Sequence, residues 1–330
     1  MNKKAILGIL ISVVLVYFSV RGIDFQDVMG NLRYVRISYV IFFLLLVLFM
    51  SWLRSYRWGI LLSPLEKIDQ ISLFSVTAVG FLAIAAIPAR LGELARPYLI
   101  AKRSSVKMSS ALGTILIERI LDSFTVLGIA VIVLFFMDLP SWMIKSSIIL
   151  FLLTLVMFGC IACLIWRRNA SLRIINKILS ALPGKFAHTI DEIIHRFIDG
   201  LEIVADIRIL LYLFFLSAVI WLVDVWAIYV LLKAFNMQLT PLASFVVMIV
   251  LIAGIAIPAA PGFIGNWHYS CILALSLFNV AKLAALSFAV VYHFLSILIV
   301  IILGVAFLPF NRFSLSDMKN EMRNTGAGTS

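Results

Sequence analysis

Three charged side chains, Arg90, Glu93 and Arg96, follow Pro88 at three-residue spacing within an otherwise apolar stretch. On a short helix this spacing places them on one face. Guanidinium groups bind phosphate through paired hydrogen bonds, and a nearby carboxylate can balance their charge, bind an amine or carry a proton. The pattern predicts an anion-binding site beside a helix break that spans Pro88 and Gly92.

A second charged group, formed by Glu118, Arg119 and Asp122, lies near the start of the next apolar run. Glu118 and Asp122 share a helix face at a spacing of four residues. An ionised group in hydrocarbon costs at least about 2.5 kcal/mol, so we interpret all three as candidate site residues. The structural alternative is that Arg119–Asp122, like Arg90–Glu93, forms an internal ion pair that holds neighbouring helices together.

A second interruption lies in the other half of the chain, where the Ala-Ile-Pro-Ala of residues 86–89 recurs at 256–259. Four residues can match by chance in an Ala- and Ile-rich sequence. Paired Pro/Gly-interrupted segments are also typical of transporter sites near the bilayer midplane, because free backbone polar groups at that depth must line a cavity. The candidates here are the breaks at Pro258, Pro261, Gly262 and Gly265 and the side chains of Asn266 and His268.

Other polar residues within apolar runs receive structural interpretations. We interpret Asp224 and His293 as interhelical hydrogen-bonding residues, with a role as ligand contacts as the alternative. The three cysteines, Cys160, Cys163 and Cys271, lie inside apolar stretches, where a free cysteine behaves as a small packing residue. We therefore expect neither a metal site nor any other cofactor.

The composition of the chain indicates what kind of elements carry these residues. Of 330 residues, 63% are hydrophobic and 13% are charged, with a mean hydropathy of +1.12. Soluble chains are about half apolar and about a quarter charged, so a soluble enzyme, a disordered protein and a disulfide scaffold are excluded. The formal net charge of +11 comes from basic residues between apolar runs, which indicates membrane topology and no nucleic acid binding.

The apolar runs predict an all-α polytopic membrane protein with eight or so hydrophobic segments, about six of them full transmembrane helices. The segments 71–101 and 243–280 are predicted to be re-entrant, broken-helix hairpins that enter from opposite faces. With the N-terminus in the cytoplasm, most Lys and Arg fall on the inner side. These include Arg54 and Arg57, just beyond the run Ser38–Leu53.

The chain is predicted to form one transmembrane domain over residues 1–310, followed by a polar cytoplasmic tail over 311–330. Its longest loop, at about 167–208, has apolar residues at helical spacing. We interpret it as an amphipathic helix on the cytoplasmic membrane surface, with docking of a partner protein as the alternative. Both termini are expected in the cytoplasm, and the expected location is the inner, cytoplasmic membrane of the cell.

Three motifs in order resemble the lysylphosphatidylglycerol synthase transmembrane-region family, also called flippase-like. They are Pro88-Ala89-Arg90-Leu91-Gly92-Glu93 with Arg96, then Glu118-Arg119-x-x-Asp122, then Pro258-x-x-Pro261-Gly262-x-x-Gly265. The resemblance extends from about residue 5 to residue 310. Within this family the sequence resembles the N-terminal flippase half of the multiple peptide resistance factor, without its aminoacyl-transferase domain. Where many relatives carry a glutamate, this sequence has His268; histidine is a residue type that can titrate near neutral pH.

The resemblance implies translocation of a membrane phospholipid or a polyprenyl-phosphate lipid with an anionic head group, and no enzymatic activity. Arg90 and Arg96 would pair with the phosphate, and Glu93, Glu118 and Asp122 would balance the arginines. Two other classes stay open. A secondary carrier of a small ion or solute suits inverted broken helices equally well, and a membrane-embedded lipid-modifying transferase is the third reading. Homo-oligomerisation also stays open.

Overall fold

The computed structural model describes residues 3–87, 92–136, 206–257 and 260–311, with short stretches and single positions between 141 and 159. Every regular element within these ranges is helical. The helices are α1 (Lys3–Val20), α2 (Phe25–Leu32), α3 (Ile37–Leu62), α4 (Gln70–Ala86), α5 (Ala95–Arg103), α6 (Met108–Leu134), α7 (Ile207–Ala234), α8 (Pro241–Ala256), α9 (Asn266–Ser276) and α10 (Lys282–Asn311).

The predicted helical membrane protein is confirmed at this level. Among the described helices, α3, α7 and α10 are long and apolar enough to cross a membrane. Most of the predicted amphipathic loop, residues 167–205, and the tail from 312 onward lie outside the described residues, as do Cys160 and Cys163.

Aspartate side chains cap the starts of α4 and α7. Asp69 accepts a hydrogen bond from the backbone N–H of Ser72 at the start of α4, at 2.9 Å. Asp206 does the same for Arg208 at the start of α7, at 2.8 Å. A carboxylate at this position satisfies N–H groups that have no partner within the helix. The hydrogen bonds from Ser72 also lower the pKa of Asp69, because they favour its ionised form.

Two apolar clusters lie toward opposite ends of the long helices. One gathers the end of α3 and the starts of α6 and α7 around α4 and α5. The other gathers the start of α3, the end of α7 and the start of α10 around α8 and α9. The long helices α3 and α7 pack along each other and join the two clusters.

Each cluster encloses a helix pair whose chain reverses direction at the predicted break. A Cβ atom on Gly92 would lie 2.2 Å from the carbonyl oxygen of Ala83, and one on Gly80 would lie 2.2 Å from Cγ of Arg96. Gly80 therefore lies beside Arg96, and Ala83, further along the chain, lies beside Gly92, which precedes Arg96. The two segments run in opposite directions, so α4 and α5 are antiparallel. The short helices α5 and α9, of nine and eleven residues, reach only about 13 and 16 Å.

The second pair, α8 and α9, is antiparallel in the same way. The side-chain amide of Asn266 donates to the carbonyl oxygens of Gly254 and Ile257, at 2.9 and 3.2 Å. The 3-10 turn at Pro261–Phe263, which precedes α9, contacts α4. The end of one broken segment therefore touches a helix of the other.

Candidate functional site

The side chain of Arg57 is fully buried between α3, α6 and α7. Its two terminal nitrogens donate to the two carboxylate oxygens of Asp122, at 2.6 and 3.1 Å. One of them also lies 3.5 Å from the carboxylate of Glu118, and the other donates to the hydroxyl of Ser217. A bidentate pair of this kind is among the strongest polar contacts that proteins form.

Arg96, near the start of α5, forms the second buried ion pair. Its terminal nitrogens donate to both oxygens of Glu118, at 3.0 and 3.1 Å. Its guanidinium carbon lies 4.2 Å from the ring centroid of Trp58, within the range of a cation–π interaction. The pair ties the short returning helix of the first break to the middle of α6.

Neutral side chains complete this cluster. The indole nitrogen of Trp221 donates to Asp122 at 3.1 Å, and that of Trp58 donates to the hydroxyl of Thr114 at 3.1 Å. Gly80 leaves the space through which the stem of Arg96 passes. We name Arg57, Arg96, Glu118 and Asp122 the charge cluster.

The charge cluster lies deep among the helices. Glu118 is about ten residues, or about 15 Å, from the start of α6, and the side chain of Arg57 is 0% exposed. Two cations face two carboxylates, so the cluster is electrically balanced. Buried charges persist only when they are paired in this way.

The second break carries a different polar group. Nε2 of His293 lies 2.7 Å from the carbonyl oxygen of Gly262, so this nitrogen donates. The rings of His268 and His293 are 4.9 Å apart between centroids, and Nδ1 of His268 is buried without a hydrogen bond in the described part of the chain. Ser12 of α1 accepts a hydrogen bond from the N–H of Ala260 at 2.8 Å.

The described residues include no cluster of three or more His, Cys, Asp or Glu side chains that could hold a metal ion. The carboxylates of Glu118 and Asp122 are each held by arginine. The two arginines and two carboxylates of the charge cluster therefore satisfy one another.

Residues 5–304 match the family of the lysylphosphatidylglycerol synthase TM region. The chain belongs to this family. The resemblance stated from the three motifs is thereby confirmed.

Two relatives of the chain have names that say only that they are membrane proteins. A UPF0104 membrane protein of Methanothermobacter thermautotrophicus is 26% identical over 300 residues, covering 86% of this chain and 87% of the relative. A UPF0104 membrane protein of Methanocaldococcus jannaschii is 28% identical over 244 residues, covering 71% of this chain and 97% of the relative. A comparison with solved structures finds no significant match.

The structure of this family member brings three predicted site residues together: Arg96, Glu118 and Asp122. Arg119 stands apart, exposed on the surface of α6. The ion pair considered for Arg119–Asp122 is not the one that forms, since Asp122 binds Arg57. Arg119 points away because it lies one position, about 100° around the helix, from Glu118.

The other predicted residues are distributed over both breaks. Glu93 is half-buried in a 3-10 turn over 92–94, and Gly92 is buried beside α4. Arg90, Pro88 and Pro258 lie outside the described residues. His268 lies beside His293, while Asn266 is buried and bonds backbone carbonyls of its own hairpin.

The sequence predicted that the helix ends at Leu53 and that Arg54 and Arg57 lie beyond it. The predicted end of this helix was wrong. Helix α3 continues to Leu62, so both arginines are helical. Arg57 is tolerated there because Asp122 and Glu118 balance its charge. The available signal was the apolar sequence Trp-Gly-Ile-Leu-Leu at 58–62, which continues the run after the two arginines.

Proposed function

We propose that the protein translocates a lipid with an anionic, phosphate-containing head group, either a phospholipid or a polyprenyl-phosphate lipid, across the cytoplasmic membrane. The observation that carries the proposal is the buried, balanced charge cluster at the first helix break. Structural stability alone favours apolar packing over buried ion pairs. Charges kept at such depth are functional candidates by default.

The proposed topology has about six full spans and two re-entrant hairpins. The hairpin α4–α5 enters from the cytoplasmic face and α8–α9 from the outer face, with both termini in the cytoplasm. Two features support this: the hairpins belong to clusters at opposite ends of the long helices, and α5 and α9 are too short to cross about 30 Å of hydrocarbon. Inverted, broken helices are typical of alternating-access transporters.

An apolar groove favours a lipid over a small solute as the transported molecule. The groove has a volume of about 430 Å³, within the range of ligand sites. Its lining belongs to α3, α7 and α8, and includes Leu46, Leu222, Trp226 and Phe245. A head group near the charge cluster would leave its acyl chain in this groove, on the same helices.

Reconstitution in liposomes with fluorescent phosphatidylglycerol tests the proposal. Wild-type protein should move the lipid between leaflets faster than protein-free liposomes do. The paired variant Arg96→Ala/Glu118→Ala removes one balanced ion pair and should reduce that rate, whereas Arg33→Ala, an exposed arginine, should not.

The outcomes separate the competing classes. If wild-type protein moves no lipid but takes up a solute with Na⁺ or pH dependence, it is a carrier. If a modified lipid appears in mass spectra only when the protein is present, it is a transferase. Either result contradicts lipid translocation.

A further inference from the structure

Arg54 is a half-buried arginine that takes no part in the hydrogen bonds and ion pairs of the charge cluster. It lies one helical turn before Arg57 on α3. Its guanidinium carbon is 5.5 Å from the ring centroid of Trp221 and 5.8 Å from that of Phe81. Within the described part of the chain, no hydrogen bond and no ion pair within 4 Å engages it, and its Nε is buried without an acceptor.

The neighbouring arginines differ from Arg54 in this respect. Both terminal nitrogens of Arg57 bind Asp122, and both of Arg96 bind Glu118. An incoming anion would have to displace a carboxylate from either of them. Among the described residues, the guanidinium N–H groups of Arg54 have no hydrogen-bond acceptor, so they can bind a ligand.

The charge of Arg54 is offset by two carboxylates that form no ion pair with it: first Asp122 of the charge cluster, then Asp224. Asp224 lies on α7, one turn after Trp221, and interacts electrostatically with Arg54. No ion pair within 4 Å joins the two, and the described residues give Asp224 no hydrogen bond. Asp224 therefore offsets part of the charge of Arg54 at a distance and does not occupy the N–H donors of its guanidinium group.

We propose that Arg54 is the phosphate-binding residue of the lipid head-group site, held between Phe81 and Trp221. The guanidinium plane matches two phosphate oxygens, and desolvation by the flanking rings strengthens such contacts. The site is built where the first hairpin, through Phe81, meets α3 and α7. Those two helices also line the acyl-chain groove.

This inference rests on the proposed function and also makes a binding claim of its own. The full-length protein in detergent is titrated with two probes, dihexanoyl phosphatidylglycerol and inorganic phosphate. We expect the wild-type protein to bind the short-chain lipid at least about tenfold more tightly than phosphate. Equal affinity would show a site for free phosphate and would overturn the lipid assignment.

Variants locate the binding site. Arg54→Gln should weaken lipid binding by at least about tenfold, and Arg54→Lys should weaken it less, because the charge is kept but the fork is lost. Arg33→Gln is the matched control and should bind as wild type. Because Arg54→Gln leaves Asp224 without a counter-charge, Arg54→Gln/Asp224→Asn serves as a charge-balanced variant whose folding is checked by thermal unfolding.

The result that overturns the inference is wild-type lipid binding in the folded double variant. Transport in liposomes separates the two proposals. If the wild type moves lipid and the double variant moves it equally fast, translocation stands and the role of Arg54 is wrong. If the wild type moves no lipid, translocation is wrong, and the binding titration still decides on Arg54.

Discussion

The guanidinium of Arg57 donates to both carboxylate oxygens of Asp122, which stands 65 positions later in the chain. The contact joins α3 to α6, with the side chain of Arg57 0% exposed and that of Asp122 13% exposed. Trp221, which also donates to Asp122, adds α7 to the same contact. Three helices are thus held together by one carboxylate.

Replacing Arg57 alone should destabilise the protein strongly. Arg57→Ala leaves the largely buried Asp122 without its cation, with only the hydrogen bond from Trp221, which costs up to about 3–5 kcal/mol. The paired variant Arg57→Met/Asp122→Leu removes both charges and should recover most of that loss. Thermal unfolding in detergent measures all three proteins, with exposed Arg33→Ala as a control expected within about 0.5 kcal/mol of wild type. A loss no larger for Arg57→Ala than for the control would contradict the ion-pair assignment.

Two helical glycines should respond in opposite directions to the same substitution. In Gly80→Ala the new Cβ would lie 2.2 Å from Cγ of Arg96. Arg96 is held at its far end by Glu118, so overpacking should cost about 1–3 kcal/mol. Gly128→Ala meets nothing within 4 Å and should stabilise α6 by about 0.5–1 kcal/mol. Melting temperatures that shift the same way would show that Arg96 does not depend on the space at Gly80.

The second break should tolerate no side chain at Gly265. Its φ is +90°, and a Cβ there would lie 2.6 Å from the carbonyl oxygen of Ser12. Gly22→Ala is the matched control, because φ is +77° and nothing lies within 4 Å. Gly265→Ala should therefore be less stable than Gly22→Ala by about 1–3 kcal/mol. Faster hydrogen exchange in α9 should accompany the loss, and equal stability of the two variants would exclude the contact with α1.

Asn266 tests whether a predicted site residue is structural. Asn266→Ala removes the two side-chain hydrogen bonds to the carbonyls of Gly254 and Ile257, which should cost about 1–3 kcal/mol in total, although the carbonyl of Gly254 keeps the N–H of Ile257. Asn266→Asp should be at least as unstable, because a carboxylate would face the same carbonyl oxygens. Thermal unfolding and lipid movement are measured together. Loss of lipid movement at unchanged stability would instead identify Asn266 as a ligand contact.

The start of α4 should depend on pH through Asp69. Because the hydrogen bonds from Ser72 lower the pKa of this carboxyl, the cap stabilises the folded protein above the ordinary pKa of aspartate. That stabilisation is lost as the pH falls through the lowered value. Asp69→Asn keeps an acceptor at every pH, so its melting temperature should fall less than that of the wild type between pH 6 and about pH 3. Parallel curves for both proteins would contradict the cap.

Local sequence signals predicted the helices and the breaks, because hydropathy and Pro/Gly interruptions act within a few residues. These local signals could not predict which charged side chains pair with one another. Arg57 and Asp122 are adjacent only after α3 and α6 pack, and no local pattern encodes that register. The same limit explains Arg54, since two arginines after an apolar run indicate a membrane boundary equally well.

The hydrogen bond from the N–H of Ala260 to Ser12 sets an order for biosynthesis. The two residues are 248 positions apart, so the ribosome, adding about 5–20 residues per second, needs on the order of ten seconds to a minute between them. Throughout that interval α1 has no partner for this contact. Although α1 is made before the other described helices, it is thus among the last of them to reach its final environment.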